Sequence, residues 1–381
     1  MSRRRHVNAL NGYTKRKGRP GNGRCVEIMK GLILSGGRGT RLRPLTYTRA
    51  KQLIPVGNKP ILFYGIEAIV KAGIKDIGII VGDTKDEVMA AAGDGKQFGC
   101  KITYIHQAQP LGLAHAVLTA EKFLGKSRFV MYLGDNVIQH GITELVNDFD
   151  TKKPNAQILL AHVSNPSQFG VAELKAGKVV RLEEKPKKPR TDLALVGVYM
   201  FDNSIITAAK SIKPSGRGEL EITDAISWLI DNGRRVDPYI IQGWWKDTGK
   251  IEDLLWANRI LLDELEYNVQ GRVDGKSLVE GKVVVEKGAI IKNSTVRGPA
   301  VIGAGAVIED SYIGPFTSIG RKVQVCRCEI EHSILLDECE VREVDARIID
   351  SLIGKKARVA RRDAKPRAYR FMLGDQSEVG I

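Results

Sequence analysis

The sequence predicts an α/β chain in two parts, a helix-covered parallel sheet followed by a parallel β-helix. Three observations predict it. Between Met29 and about Trp256, short β-branched runs alternate with helical patterns. Beyond about Asn268 that rhythm gives way to apolar residues recurring at every sixth position. Glycine directly follows several of those residues, which places small groups at the corners of stacked coils.

Residues 1–28 are polar and lack apolar periodicity, so no fold is expected there, and Met29 is a candidate natural start. Lys30–Leu34 reads as a buried strand. Ile77–Val81 is a second strand, Asp86–Ala92 a helix, Ile102–His106 a strand and Leu113–Phe123 a helix. Arg128–Leu133 is another strand and ends on Gly134-Asp135-Asn136. Sites in such sheets lie beyond the carboxyl ends of the strands, where both Ser35-Gly36-Gly37 and Gly134-Asp135-Asn136 fall. A helix is expected over Ile251–Asn268. The six-residue count then runs through Leu278, Val284, Ile290, Val296, Ile302 and Ile308. After a five-residue step it resumes at Ile313, Ile319 and Val325, and Leu335, Val341 and Ile353 continue it less regularly. The expected segmentation is a basic leader at 1–28, an α/β domain at 29–250 and a linker helix at 251–277. The β-helix follows at 278–366, with a cap or tail at 367–381.

The 381 residues are 43% hydrophobic and 27% charged, which suits two or three globular domains. No apolar run reaches the ~18 residues that would cross a bilayer. Five cysteines cannot form a disulfide framework in so long a chain, and a cytoplasmic location is expected. Of the net charge of +15, residues 1–28 carry +7 and residues 355–381 carry +5, leaving +3 between them. Basic ends without interleaved aromatic residues read as solvated tails, so no nucleic-acid partner and no membrane partner is expected.

The chemistry concentrates in short motifs. Leu34-Ser35-Gly36-Gly37-Arg38-Gly39-Thr40-Arg41 follows a strand, and its three glycines let backbone N–H groups approach phosphate. It has neither the Gly-Lys-Ser/Thr of a P-loop nor the spacing of a dinucleotide fingerprint. Arg49-Ala50-Lys51-Gln52-Leu53-Ile54-Pro55 and Asn58-Lys59-Pro60 come next. Further on stand Gln107, Gly112-Leu113-Ala114, Phe169-Gly170-Val171, Glu183-Glu184-Lys185-Pro186, Arg217-Gly218-Glu219-Leu220-Glu221 and Trp245-Lys246-Asp247-Thr248-Gly249. Taken singly, several have plain structural readings. Gly-Asp-Asn and Asp-Thr-Gly are good turn sequences, residues 183–188 form a charged loop, and Trp245 reads as core.

In this order, spanning Met29 to about Gly249, the motifs resemble the sugar-1-phosphate nucleotidyltransferase superfamily. Lys51-Gln52 is most similar to the glucose-1-phosphate thymidylyltransferases, and with the six-residue period behind it the chain resembles their long type. The resemblance implies a Rossmann-like nucleotidyltransferase domain followed by a left-handed parallel β-helix. It implies that Arg41 and Lys51 are catalytic, gripping a triphosphate, and that Asp135 and Asp247 hold Mg2+. Gly36, Gly37, Gly39, Thr40, Gln52, Gln107 and Gly112 would bind nucleotide. Asn136, Gly170, Glu184, Lys185 and Arg217 would bind the sugar phosphate. The implied substrates are dTTP, or UTP, and glucose-1-phosphate, and a homo-oligomer is expected. A thymine methyl is worth only ~1–3 kcal/mol in an apolar pocket, so the two triphosphates stay unresolved at this stage.

Two other classes compete. An acyltransferase on the β-helix needs a positioned base, and His332 is the one histidine in the repeat region. A scaffold that binds nucleotide-sugars without making them would dispense with Arg41, Lys51, Asp135 or Asp247, all of which are present. Cys326, Cys328, His332 and Cys339 are expected on different faces of the coils and not as a zinc site.

Overall fold

The computed structural model describes residues 29–361, apart from 38 and 48, and residues 371–380. The basic leader lies outside the described residues, as do residues 362–370 and 381.

The strands of the first part, in chain order, are β1 (Lys30–Ser35), β2 (Asp76–Val81), β3 (Lys101–His106), β4 (Phe129–Leu133) and β5 (Asn136–Ile138). They continue with β6 (Ala156–His162), β7 (Gly170–Lys175), β8 (Lys178–Glu184), β9 (Leu193–Phe201), β10 (Val236–Ile240) and β11 (Trp245–Asp247). β1 lies between β2 and β4, all parallel, with Ile33 opposite both Ile79 and Tyr132, and β3 flanks β2. β1, β2 and β4 are buried on both faces, which accounts for their continuous apolar runs.

The sheet is mixed and not wholly parallel as expected, because β9 runs antiparallel to β4, β6 and β7. The reversal is local in origin. β7 and β8 are joined through Ala176 and Gly177, both at positive φ (50° and 74°), the geometry of a tight hairpin turn. The helix expected over Leu113–Phe123 is divided into α1 (Leu113–Thr119) and a single turn at Glu121–Leu124. Ala120 lies between them, its N–H shared between the carbonyls of Ala116 and Val117.

Helix Ile251–Asp263 is shorter than expected and the column begins sooner, since Asn268–Val269 already pairs with Val284–Val285. The expected boundary at 278 therefore falls inside the first coil. Three faces of parallel strands follow. Val283, Ala300 and Thr317 stack at 17-residue intervals. A coil of 17 is two six-residue sides and one of five, so a strict count of six drifts out of phase. The inward residues of the early coils are Val279, Val285 and Ile291, one position beyond the expected Leu278, Val284 and Ile290. From Val296 onward the two counts coincide, and Val285, Ile302, Ile319 and Leu335 form one stacked row. Cys328 and Cys339 are buried in this core.

The two parts share a core of their own. Leu42, Ile54, Val56 and Ile61 pack with Leu254 and Leu255 of the long helix and with Ile334 and Leu336 of the column. Asn258 pins this joint with no exposed surface. Its Oδ1 accepts from Gly57 N (2.9 Å) and Ser318 Oγ (2.6 Å), and its Nδ2 donates to Phe316 O (3.0 Å). Residues 371–380 return to the first part, where Tyr47 Oη donates to Asp375 Oδ2 at 3.5 Å.

Candidate active site

The glycine loop leaves β1 and is drawn against the short helical turn Lys51–Leu53. Gly39 sits at φ 60°, and a Cβ there would lie 2.9 Å from Lys51 Cβ and 3.0 Å from Thr46 Cγ2, so glycine is required on two grounds. Thr46 Oγ1 donates to the Gly39 carbonyl at 2.7 Å and fastens the bend. Thr40 and Arg41 begin the next turn on the exposed side. Gln52 Nε2 stands 3.8 Å from where a Gly37 side chain would start. Lys51 and Gln52 are both buried.

Two carboxylates, 112 positions apart in the chain, meet Lys51. Asp135 follows β4, while Asp247 ends β11, which pairs antiparallel with β5 so that Asp247 faces Asn136. Thr248, fully buried, closes the ribbon by donating both N (3.1 Å) and Oγ1 (2.8 Å) to the carbonyl of Asp135. Lys51 Nζ lies 2.5 Å from Asp135 Oδ2 and 3.9 Å from Asp247 Oδ1. A Cβ on Gly249 would lie 3.4 Å from Asp247 Oδ1 and 3.7 Å from Arg41 Nη1, which places the guanidinium beside the same carboxylate.

The electrostatics follow from this crowding. Burial works to lower Lys51, but the charges of Asp135 and Asp247 outweigh it and raise it above an ordinary lysine. Burial likewise works to raise Asp135, and the Lys51 ammonium overrides it and holds it below the usual carboxylate range. Asp247 has no such contact. Burial and the Asp135 charge push it up to about 6 against the pull of Lys51. Its Oδ1 is buried without a hydrogen-bond partner, as are Ser35 Oγ and Gln52 Oε1 nearby. Unsatisfied buried oxygen beside a second carboxylate is the donor set of a hard cation. Mg2+ is commonly held by one or two carboxylates plus substrate phosphates, so Asp135 and Asp247 fit it. Among the described residues no group of three or more His, Cys, Asp or Glu could form an all-protein metal cage.

On the expected base side, Gln107 follows β3 and is buried, with its Nε2 2.8 Å from His115 Nδ1. Its Oε1 is 3.4 Å from the place of a Gly36 side chain. Gly112 has a structural reason besides the one expected. It lies at φ 106°, and a Cβ would come within 2.4 Å of the Leu220 carbonyl oxygen, so the close approach it permits is to the protein's own backbone.

The expected sugar side forms a second cluster. Arg217 Nη2 reaches Glu221 Oε1 (2.8 Å) and Glu184 Oε1 (3.3 Å), and Lys185 Nζ lies 3.7 Å from Glu184. Burial raises the Glu184 carboxyl against the pull of Lys185 and Arg217. A Gly170 side chain would collide with Thr223 Cγ2 at 2.8 Å. Asn136 is more occupied than expected. Its Oδ1 accepts from Trp245 Nε1 (2.5 Å) and Gly197 N (3.3 Å), while its Nδ2 donates to Asp135 Oδ1 (2.8 Å). Trp245 in turn meets the Phe169 ring edge-on at 5.4 Å, and the Phe169 carbonyl accepts from Lys185 N, joining the two clusters.

Thr248, Glu221, Thr223 and His115 are parts of the site that sequence reasoning did not single out. Two of them sat inside quoted motifs, but nothing in residue type marks a threonine or a glutamate as the one whose side chain turns inward.

The chain is 56% identical to a glucose-1-phosphate thymidylyltransferase from Streptomyces antibioticus, over 93% of this chain and 99% of that protein. A glucose-1-phosphate thymidylyltransferase from Streptomyces griseus is 52% identical over the same shares. Among solved structures, a Bacillus anthracis protein assigned as a glucose-1-phosphate thymidylyltransferase superposes with a TM-score of 0.59 at 38% identity, covering 63% of this chain and 97% of that one. With residues 30–264 matching the family described as Nucleotidyl transferase, the loop, the lysine turn and the paired aspartates have their explanation: the chain belongs to the nucleotidyl transferase family.

Proposed function

We propose that this chain is a cytoplasmic glucose-1-phosphate thymidylyltransferase that makes dTDP-glucose and pyrophosphate from dTTP and glucose-1-phosphate. The observation that carries the reading is the meeting of Lys51, Asp135, Asp247 and Arg41 at one point, although as many as 206 positions separate Arg41 from Asp247 in the chain. Relatives more than half identical over nearly their whole length support the choice of substrates.

In the reaction a phosphate oxygen of glucose-1-phosphate attacks the α-phosphorus of dTTP. The bond from that phosphorus to the α–β bridging oxygen breaks, and pyrophosphate leaves with the electron pair. The attacking phosphate is already ionised, so no general base is needed, and catalysis rests on positioning and charge. Arg41 and Lys51 grip the triphosphate and balance charge on the transferring group. Bound between Asp135 and Asp247, Mg2+ would neutralise part of the triphosphate charge. Arg217 and Lys185 bind the sugar's phosphate, and Glu184 accepts from sugar hydroxyls. A homo-oligomer suits the flat, extended faces of the column. Among the described residues, no helix is long and apolar enough to cross a membrane.

An acyltransferase on the column finds no support in His332. Its Nδ1 is paired to Asp350 and its Nε2 is buried without a hydrogen-bond partner, so neither nitrogen is open to a substrate. The deciding experiment is pyrophosphate release from glucose-1-phosphate and Mg2+ with each nucleoside triphosphate in turn. Turnover with dTTP above UTP is expected, and no release with any triphosphate would refute the reading.

A further inference from the structure

We propose that His115 sets the base preference of this site by fixing the side-chain amide of Gln107, a positioning role that rests on the reading above that Gln107 meets the pyrimidine. Gln107 is held on three sides. Its N–H donates to the Val81 carbonyl at 2.9 Å, its side chain is buried, and its Nε2 lies 2.8 Å from His115 Nδ1. His115 is itself placed firmly. It stands in the first turn of α1, whose start is tied down by Ala114 N donating to the Leu220 carbonyl (3.0 Å) and by the tight packing of Gly112 on Leu220.

An amide NH2 can only donate, so the imidazole accepts at Nδ1 and carries its proton on Nε2. One N–H of Gln107 is thereby spent on His115. What remains for a ligand is the other N–H and Oε1, which lies over Gly36. That pair is the complement of an imide edge, a ring N–H beside a carbonyl, as found in thymine and uracil. Cytosine presents the reverse pattern, a bare ring nitrogen beside an amino group, and would need the amide turned over. Turned over, Oε1 would face the lone pair of His115 Nδ1, and that contact would be restored only by moving the ring proton from Nε2 to Nδ1, so the device costs cytosine a tautomer change. The device distinguishes imide bases from cytosine and is blind to the thymine methyl.

The test uses the full chain with two substitutions. His115→Leu removes the acceptor, whereas His115→Asn keeps one at the same branch point of the side chain. The readouts are kcat/KM for dTTP and for dCTP, and KM for glucose-1-phosphate. In His115→Leu the preference for dTTP over dCTP is expected to fall about tenfold or more with KM for glucose-1-phosphate unchanged, and His115→Asn to restore most of it. Equal losses on both triphosphates, or an unchanged ratio in an active variant, would overturn the inference. The 15N shifts of the His115 ring in the wild-type protein give a check that needs no variant: a proton on Nε2 agrees, and a proton on Nδ1 overturns it. Wild-type protein inactive with dTTP would strike instead at the proposed function.

Discussion

Asp247 is where stability and catalysis pull in opposite directions, and Asp247→Asn separates them. Without metal, its carboxyl is pushed from 3.8 up to about 6 by burial and by the Asp135 charge. A shift of about two pH units, at ~1.4 kcal/mol each, makes the ionised group cost the metal-free fold about 3 kcal/mol at pH 7. The side chain keeps 33% of its surface, so solvent screening reduces the figure to ~1–2 kcal/mol. Asparagine has the same shape and no charge. In EDTA at pH 7.5 the variant is expected to melt roughly 2–6 °C higher than wild type by scanning calorimetry. With Mg2+ and both substrates its turnover is expected to fall about 100-fold or more.

The pH dependence has a definite sign. The native group binds its proton more tightly than the unfolded one, so wild-type stability in EDTA rises as pH falls through 6 and levels off near 3.8. Asp135, held low by Lys51, acts in the opposite sense and only at more acid pH. The variant lacks the rise near pH 6. A variant that melts lower than wild type in EDTA, or one that retains wild-type turnover with Mg2+, would refute the reasoning.

Three further outcomes are expected. Lys51→Met removes the cation from the triphosphate grip and should lower kcat about 100- to 1,000-fold in the pyrophosphate assay, while also leaving Asp135 buried and unpaired. Thr248→Val deletes one of the two hydrogen bonds to the Asp135 carbonyl, and the Mg2+ concentration for half-maximal rate should rise several-fold with KM for glucose-1-phosphate little changed. Asn258→Leu strands Gly57 N, Ser318 Oγ and Phe316 O at the joint and should lower stability by about 3–5 kcal/mol in chemical denaturation.

The parts of this molecule that were legible in the sequence are those in which residue type and spacing act together. The glycine loop, the lysine turn and the two aspartates each carry a chemical reason that survives without coordinates, and the chain does bring them together. The column was legible through its period, yet its early coils were read one residue out of phase. The five-residue side recurs once per 17-residue coil, and a count of six cannot see it until a glycine or a proline marks a corner. The antiparallel half of the sheet is not legible because its reversal rests on the Ala176-Gly177 turn, where an alanine at positive φ carries no signal in residue type. Asn258 was invisible for another reason. An asparagine inside an amphipathic helix reads as a surface residue, and only the arrival of two other chain segments makes it the most heavily bonded residue of the joint. Gly112 shows the converse case, legible as a point of close approach while the Leu220 backbone that packs against it is not.

The way the joint is pinned makes growth of the pillar one-directional. Each added storey raises it by about 4.8 Å. A whole coil inserted after Ala360 would prolong the far end and leave the bonds of Asn258 in place. The same insertion between Ile302 and Phe316 would carry Phe316 and Ser318 one storey past Asn258 and unfasten the turn at Gly57. Variation in height is therefore tolerated at the tip and forbidden at the base.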